Sequence, residues 1–301
     1  MTHEPTTAPE PLTTPAPPGA PGAAPAPVRK GMSRRATLFV LLIAVAFVLM
    51  PFFFWRASWF GAPMSPAQLT EAFAPGAEPR KTQHALAQLS AMMDRRDPAA
   101  RQWYPGIVAA GKHSDPQIRL TAAWVMGRDN SAPEFHPALS AMLADSDAMV
   151  RANAALALVR FGDAAGRPVL LGLLQPFTVI APSGFAGGTL RPRLKPSDAV
   201  RPGTMVARID SPQGVVEVRS PVPGVLQRWL VSASAPVAPG QPLCVLSPDA
   251  QAAWEALRGL YLIGQPEDAA VVESFLRTSA SLPPNLTEQA RLTLQALQSR
   301  N

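Results

Sequence analysis

Asp147-Ala148-Met149-Val150-Arg151-Ala152-Asn153-Ala154-Ala155-Leu156-Ala157-Leu158 is the stretch on which the architecture turns. It repeats one unit upstream. Ser114-Asp115-Pro116-Gln117-Ile118-Arg119 aligns with Ser146-Asp147-Ala148-Met149-Val150-Arg151 at an offset of 32, and the pairs Ala122-Ala123 and Ala154-Ala155 follow each arginine at the same distance. Trp103-Tyr104-Pro105-Gly106-Ile107-Val108 aligns in the same way with Phe135-His136-Pro137-Ala138-Leu139-Ser140. A third copy of that helix begins at Arg167-Pro168-Val169-Leu170-Leu171. A fixed period of about 30 residues that reads helix, turn, helix predicts a solenoid.

The repeated residues have physical reasons to be there. Ser114 and Ser146, or the aspartates after them, offer a short oxygen to the free N–H groups of a helix start. Pro105, Pro137 and Pro168 suit a first helical turn, where the missing N–H costs nothing. Alanine pairs let helices approach closely. Arg119 and Arg151 are expected to reach an aspartate or a helix-end carbonyl of the adjoining repeat, with a ligand-binding role as the alternative. The pattern Asp-x-x-Val-Arg-x-x-Ala-Ala-x-Ala-Leu resembles the HEAT repeats of the bilin-lyase type, and 147–158 carries it most closely. The resemblance implies a helical stack over residues 64–175.

Helical periodicity returns after residue 248. Ala256-Leu257-Arg258-Gly259-Leu260-Tyr261-Leu262-Ile263-Gly264 follows the pattern of 154–162 at an offset of 102, and Asn285 with Glu288 predicts a capping box for a last helix over 286–299. Residues 249–301 are therefore expected to be further helices of the same stack, with 176–248 inserted between repeats.

That inserted segment repeats itself. Val200-Arg201-Pro202-Gly203-Thr204-Met205-Val206 reappears as Val237-Ala238-Pro239-Gly240-Gln241-Pro242-Leu243, an offset of 37. Between the copies lies 209–225, in which Asp210, Gln213 and Pro221-Val222-Pro223-Gly224-Val225 resemble the carrier hairpin of lipoyl and biotinyl domains. The resemblance implies an all-β barrel-sandwich fold. It also places Gln213 where the modified lysine belongs. An amide is no nucleophile, so no swinging-arm cofactor is expected. The expected fold class is thus mainly α, a HEAT-like solenoid with an inserted lipoyl-like β domain, after one transmembrane helix.

The N-terminal part sets location. Of the 35 prolines in 301 residues, many fall in residues 1–28, which are nearly all Pro, Ala, Thr and Gly. Such a composition buries too little to offset ordering entropy, and 1–35 are expected to form a disordered tail. Residues 36–55 then run uncharged, long enough at helical rise for a bilayer core of roughly 30 Å. Trp55 and Trp59 suit an interfacial belt, and Arg29, Lys30, Arg34 and Arg35 precede the span. The positive-inside rule then predicts a cytoplasmic N-terminus and an exported remainder after residue 60, periplasmic if the cell is a Gram-negative bacterium. A cleaved signal peptide is the competing reading.

Sites for chemistry are scarce. His3, His84, His113 and His136 lack metal-ligand spacing, and no nucleotide or nucleophile-elbow motif occurs. Cys244, the single cysteine, excludes an internal disulfide and is expected to be a buried thiol. Asp210 and Glu217 read as solvated charges. Arg191, Arg193, Lys195 and Arg201 form a basic edge that could meet a protein partner or anionic lipid, or simply be solvated. No interleaving of basic and aromatic residues suggests nucleic acid. The expected function is a noncatalytic membrane-anchored adaptor holding subunits of an envelope complex for transport, secretion or respiration. Lysine-free lipoyl-like modules in the periplasmic adaptors of export pumps support it, although the long hairpin those adaptors insert is missing. An accessory role in cofactor or chromophore attachment, implied by the bilin-lyase resemblance, is the alternative.

Overall fold

The computed structural model describes residues 33–59, 63–278 and 282–300. The chain divides into two compact units, Met1–Gly61 and Ala62–Asn301. In the first, α1 (Arg34–Trp59) is one helix of 26 residues. Its span Arg34–Phe53 has a mean hydropathy of 2.7, long and apolar enough to cross a membrane. It starts two residues earlier than the apolar run because the Ser33 hydroxyl accepts the Ala36 N–H at 3.3 Å, which draws Arg34 and Arg35 into the first turn. The Pro/Ala tail up to residue 32 and the Trp55 and Trp59 side chains lie outside the described residues.

The second unit begins with α2 (Pro66–Ala72), α3 (Pro79–Asp94), α4 (Tyr104–Ala110), α5 (Pro116–Met126), α6 (Phe135–Met142), α7 (Ala148–Arg160) and α8 (Arg167–Gly172). After the β segment follow α9 (Ala250–Ile263), α10 (Ala269–Thr278) and α11 (Pro284–Gln298). The helices form two layers. From α3 to α11 the odd-numbered ones pack side by side in chain order, and α4, α6, α8 and α10 back them. Leu86, Ile107, Ile118, Phe135, Leu139 and Leu158 are fully buried between the layers. Each such side chain stabilises by about 1.5–3 kcal/mol relative to exposure. A second core joins Leu170 of α8 with Leu257 and Leu260 of α9, Phe275 of α10 and Leu286 of α11. Helices on both sides of the β segment therefore share one hydrophobic interior.

The starts of α5, α7 and α9 are capped by aspartates, and in α5 and α7 not by the serines before them, whereas Ser65 caps α2. Asp115 accepts the Gln117 N–H at 2.8 Å, Asp147 the Met149 and Val150 N–H groups at 2.8 and 3.1 Å, and Asp249 the Ala252 N–H at 2.9 Å. The capping box expected from Asn285 and Glu288 does not form. Pro284, with φ preset for a helix, already occupies the first helical position behind Pro283. Asn285 is thereby inside the first turn, and no side chain caps α11.

The β segment contains β1 (Phe177–Ile180), β2 (Gly188–Pro192), β3 (Ala199–Val200), β4 (Met205–Ser211), β5 (Gly214–Arg219), β6 (Gly224–Trp229), β7 (Pro236–Val237) and β8 (Pro242–Pro248). They make two four-stranded antiparallel sheets, β1-β8-β6-β3 and β5-β4-β2-β7. The order of the second sheet is that of the first with β1–β4 and β5–β8 exchanged. The sequence offset of 37 carries β3 onto β7 and β4 onto β8, end to end. It also carries Gly203 onto Gly240, with φ of 82° and 72° that other L-residues rarely adopt. The symmetry extends to close contacts. A Cβ on Gly188 would stand 2.5 Å from the Asp210 carbonyl oxygen, and one on Gly224 would stand 2.6 Å from that of Ser247. Leu190, Val206, Ile209, Leu226, Leu243 and Leu246 fill a core between the two sheets. The first and last strands lie side by side, with Phe177 paired to Leu246, so the segment leaves and re-enters the helical stack at one place.

Candidate interaction surfaces

A groove of about 660 Å³ crosses α5, α7 and α9. Repeat geometry builds it in rows one helical turn apart. The offset of 32 between repeats and 102 across the β segment aligns Trp124, Leu156 and Arg258 in one row, and Arg128, Arg160 and Leu262 in the next. Gly127, Ala157 and Gly259 form the floor, because helices this close leave no room for larger residues. A Cβ at Gly127 would lie 2.9 Å from that of Ala157. Trp124 and Leu262 remain 45% and 64% exposed, large apolar surfaces for the face of a packed stack. Arg128 lies over the Trp124 ring at 4.2 Å and 3.5 Å from Asp94, and Arg258 lies over Trp254 at 4.7 Å. Among the described residues, neither Arg160 nor Arg258 has a carboxylate partner, and the buried Nε of Arg128 has no hydrogen-bond acceptor.

The repeated arginines upstream of the groove are fasteners. Arg119 grips Asp145 with Nε and Nη2, at 2.7 and 2.8 Å, and donates from Nη1 to the carbonyls of His113 and Ser114. Arg151 makes the equivalent carbonyl bonds to Asp145 and Ser146, at 2.6 and 3.0 Å. It lacks the carboxylate, because one repeat beyond Asp145 the chain is already in β1 at Phe177. The Arg119 hydrogen bonds hold the Asp145 carboxyl below the usual range against the opposing effect of burial. Both side chains of the pair are largely buried. Arg119→Ala is expected to cost about 2–3 kcal/mol of stability because it strands Asp145, and Arg151→Ala about 1 kcal/mol or less. A carboxyl lowered by folding contributes stability that is present above its unfolded pKa and lost as the pH falls through the folded one. The acid limb of the stability curve should therefore flatten in Arg119→Ala alone. Equal losses in the two variants by thermal or denaturant unfolding would refute this.

Tyr104 donates to Asp129 at 2.7 Å, and burial followed by that bond pushes the phenol up to about 12. Burial opposes ionisation of Asp129, but bonds from Ser131 and Tyr104 outweigh it and hold its carboxyl low. Asp129 thus ties the turn after α5 to α4. His136 meets Asp163 at 2.8 Å, and His113 accepts the Asp115 N–H at 2.9 Å, so both imidazoles fasten turns.

On the β segment, Gln213 occupies the two-residue tip between β4 and β5, where Ser211 pairs with Gly214, and Ser211 donates to its side-chain oxygen at 2.6 Å. Arg191, Arg193, Lys195 and Arg201 are all exposed, but they do not line one edge: Arg201 follows β3, an edge strand of the other sheet, whereas Arg191 is on an interior strand. β2 lies inside its sheet, between β4 and β7; Pro192 ends the strand, and the Arg193 N–H resumes the pairing by donating to Val206 at 3.0 Å. Arg191 is committed to Asp210 at 2.9 Å and to Ser234. Glu217 takes Arg219 at 2.7 Å and approaches Arg208 at 4.0 Å, so both acids are paired on the sheet surface. Cys244 is fully buried, and desolvation pushes its thiol up to about 11, which leaves little nucleophilic thiolate.

The groove residues were not singled out from sequence, although one signal was present. Arg128 and Arg160 stand 32 residues apart, the offset that aligns the rest of the repeat. Residues 104–177 match the family model described as HEAT repeats. No curated protein matches the chain.

Proposed function

We propose that this chain is a noncatalytic adaptor, anchored in a bacterial inner membrane by α1, that holds a protein subunit of an envelope complex on the exported side. The observation that carries the reading is the groove. Its walls come from helices before and after the β segment, and it presents an exposed tryptophan, an exposed leucine and unpartnered arginines on a rigid helical face. Helical stacks of this kind offer extended surfaces to proteins, and exposed apolar patches rimmed by polar groups mark interaction sites.

The β segment is read as a lipoyl-like domain with its chemistry removed. Support comes from the internal two-fold exchange of the sheets, from a tight hairpin that this exchange relates to the paired ends, and from an amide at that hairpin's tip. An amide cannot form the acyl link a carrier needs, so the module serves as a shaped surface. Among the described residues of the segment, Arg193, Lys195, Arg201 and Arg228 have no carboxylate partner, and contact with the partner or with lipid headgroups falls to them before Arg191.

A photocrosslinking residue at Trp124 or Leu262 is expected to yield adducts with other membrane proteins in intact cells. The chain should resist alkaline extraction of membranes, and a reporter active only outside the cytoplasm should work when fused after Asn301. A soluble chain, a silent reporter or groove positions that give no adducts would each refute the corresponding part of the reading.

A further inference from the structure

We infer that the groove across α5, α7 and α9 binds an extended acidic segment of a protein that also carries an apolar side chain; this rests on the adaptor reading and adds the chemistry of its partner. The charge is one-sided. Arg128, Arg160 and Arg258 line the groove, against the single acid Glu255, which accepts a bond from Gln251 at 3.1 Å. Arg160 and Arg258 have no carboxylate partner among the described residues, and Arg128 meets Asp94 through one terminal nitrogen, at 3.5 Å. Two rest on indole faces, at 4.2 and 4.7 Å, which stabilises a guanidinium yet leaves its N–H edge free to donate in the ring plane. Arg160 has neither an aromatic nor a carboxylate partner among the described residues, and the Arg128 Nε is buried without an acceptor. A buried donor left unpaired is costly, so an oxygen ligand that reaches it recovers that cost on binding.

The spacing selects the shape of the ligand. Arg128, in the turn that ends α5, and Arg160, at the end of α7, occupy equivalent places in neighbouring repeats, and Arg258 lies on α9, one turn from that row. Neighbouring helix axes are about 8–10 Å apart. Cations distributed over three helices suit carboxylates strung along a chain and do not converge on one compact ion. Between them, Leu156 and Val159 are half-buried, and Trp124 and Leu262 are exposed at opposite corners. A purely ionic ligand would leave that apolar surface wet, whereas a peptide with an aromatic or aliphatic residue among its acids covers it. Carboxylate forks match guanidinium edges two bonds at a time, which fixes register as well as charge.

The test uses the full chain in detergent micelles and a labelled peptide of alternating glutamate and aspartate around one phenylalanine. A second peptide replaces every acid by its amide. The acidic peptide is expected to bind in low salt, the amide version about tenfold more weakly or worse, and high salt should erase the difference. Arg160→Glu combined with Arg258→Glu should abolish binding of the acidic peptide and create binding of a lysine-containing counterpart, with circular dichroism unchanged. Leu262→Asp should weaken the acidic peptide and leave the salt dependence in place. Equal binding of acidic and amide peptides overturns the proposal. So does an arginine-dependent affinity for vesicles of anionic phospholipid, or for inorganic phosphate, that exceeds affinity for the peptide. Failure of the peptide while groove crosslinks to a membrane protein persist would discard this chemistry and leave the adaptor standing; loss of both would discard the adaptor as well.

Discussion

Alanine at Gly188 or at Gly224 is expected to melt the β segment while the helices stay folded. Each new methyl would have to sit about 2.5 Å from a backbone carbonyl oxygen, of Asp210 or of Ser247, and neither oxygen can move without breaking its ladder. Overpacking against a flexible side chain costs about 1–3 kcal/mol, and a backbone obstacle belongs at or above the top of that range. Because the two positions are related by the internal exchange of β1–β4 with β5–β8, the two losses should be close to equal. Hydrogen exchange read strand by strand would check this. The protection of Val206, Ile209, Leu226 and Leu246 should collapse in both variants, while that of Ile118 and Leu158 should persist. A variant that keeps β protection, or two variants that differ by several kcal/mol, would show that the two halves are not mechanically equivalent.

The second large effect is a removal. Replacing residues 178–247 with a short Gly/Ser linker is expected to leave α2 to α11 folded. Antiparallel partners such as Phe177 and Leu246 stand about 5 Å apart at Cα, so a few residues bridge the gap. Closing a shorter loop changes chain entropy by only about 0.6 kcal/mol per halving of length. The packing that matters, Leu170 against the Gly259 backbone and Leu257 beside Leu260, does not involve the β segment. Far-ultraviolet dichroism should therefore retain the full helical signal, and α9 to α11 should resist proteolysis. The same variant is expected to capture its partner poorly, since the segment is tethered to the stack at both ends and adds its loops to the bound surface. Proteolysis of α9 to α11 would sink the first expectation, and undiminished partner yield the second.

The sequence exposed the helical repeats because period and chemistry coincide there. Asp147 has to cap, Arg151 has to reach a carbonyl, and Ala154-Ala155 has to stay small, so the pattern survives as letters. The β segment was legible for the same reason, through an offset of 37 anchored on Pro-Gly turns. Three things were hidden. The start of α11 depended on Pro284, whose fixed φ outcompetes the hydrogen bond Asn285 could offer. The interior setting of β2, where a basic edge was expected, was not legible because its partner strands lie 15 residues or more away along the chain. The groove was the largest omission. Trp124, Arg160 and Arg258 follow no motif, and nothing local distinguishes a cation facing a groove from one facing water. Only alignment of three helices, one of them beyond a β segment of some 70 residues, brings them together.

The adjacency of β1 and β8 has a mechanical consequence. A pull on the two ends of the helical stack first loads the contacts of α7 and α8 with α9, since the chain between α8 and α9 is slack while those contacts hold. Once they part, the force enters the β segment at Phe177 and Leu246, neighbours on paired strands. Strands pulled from the same end open like a zipper, one bond after another, and yield at lower force than strands sheared along their length. The β segment is then a reserve of chain that pays out under load, placed between two halves of a rigid stack that would otherwise separate abruptly.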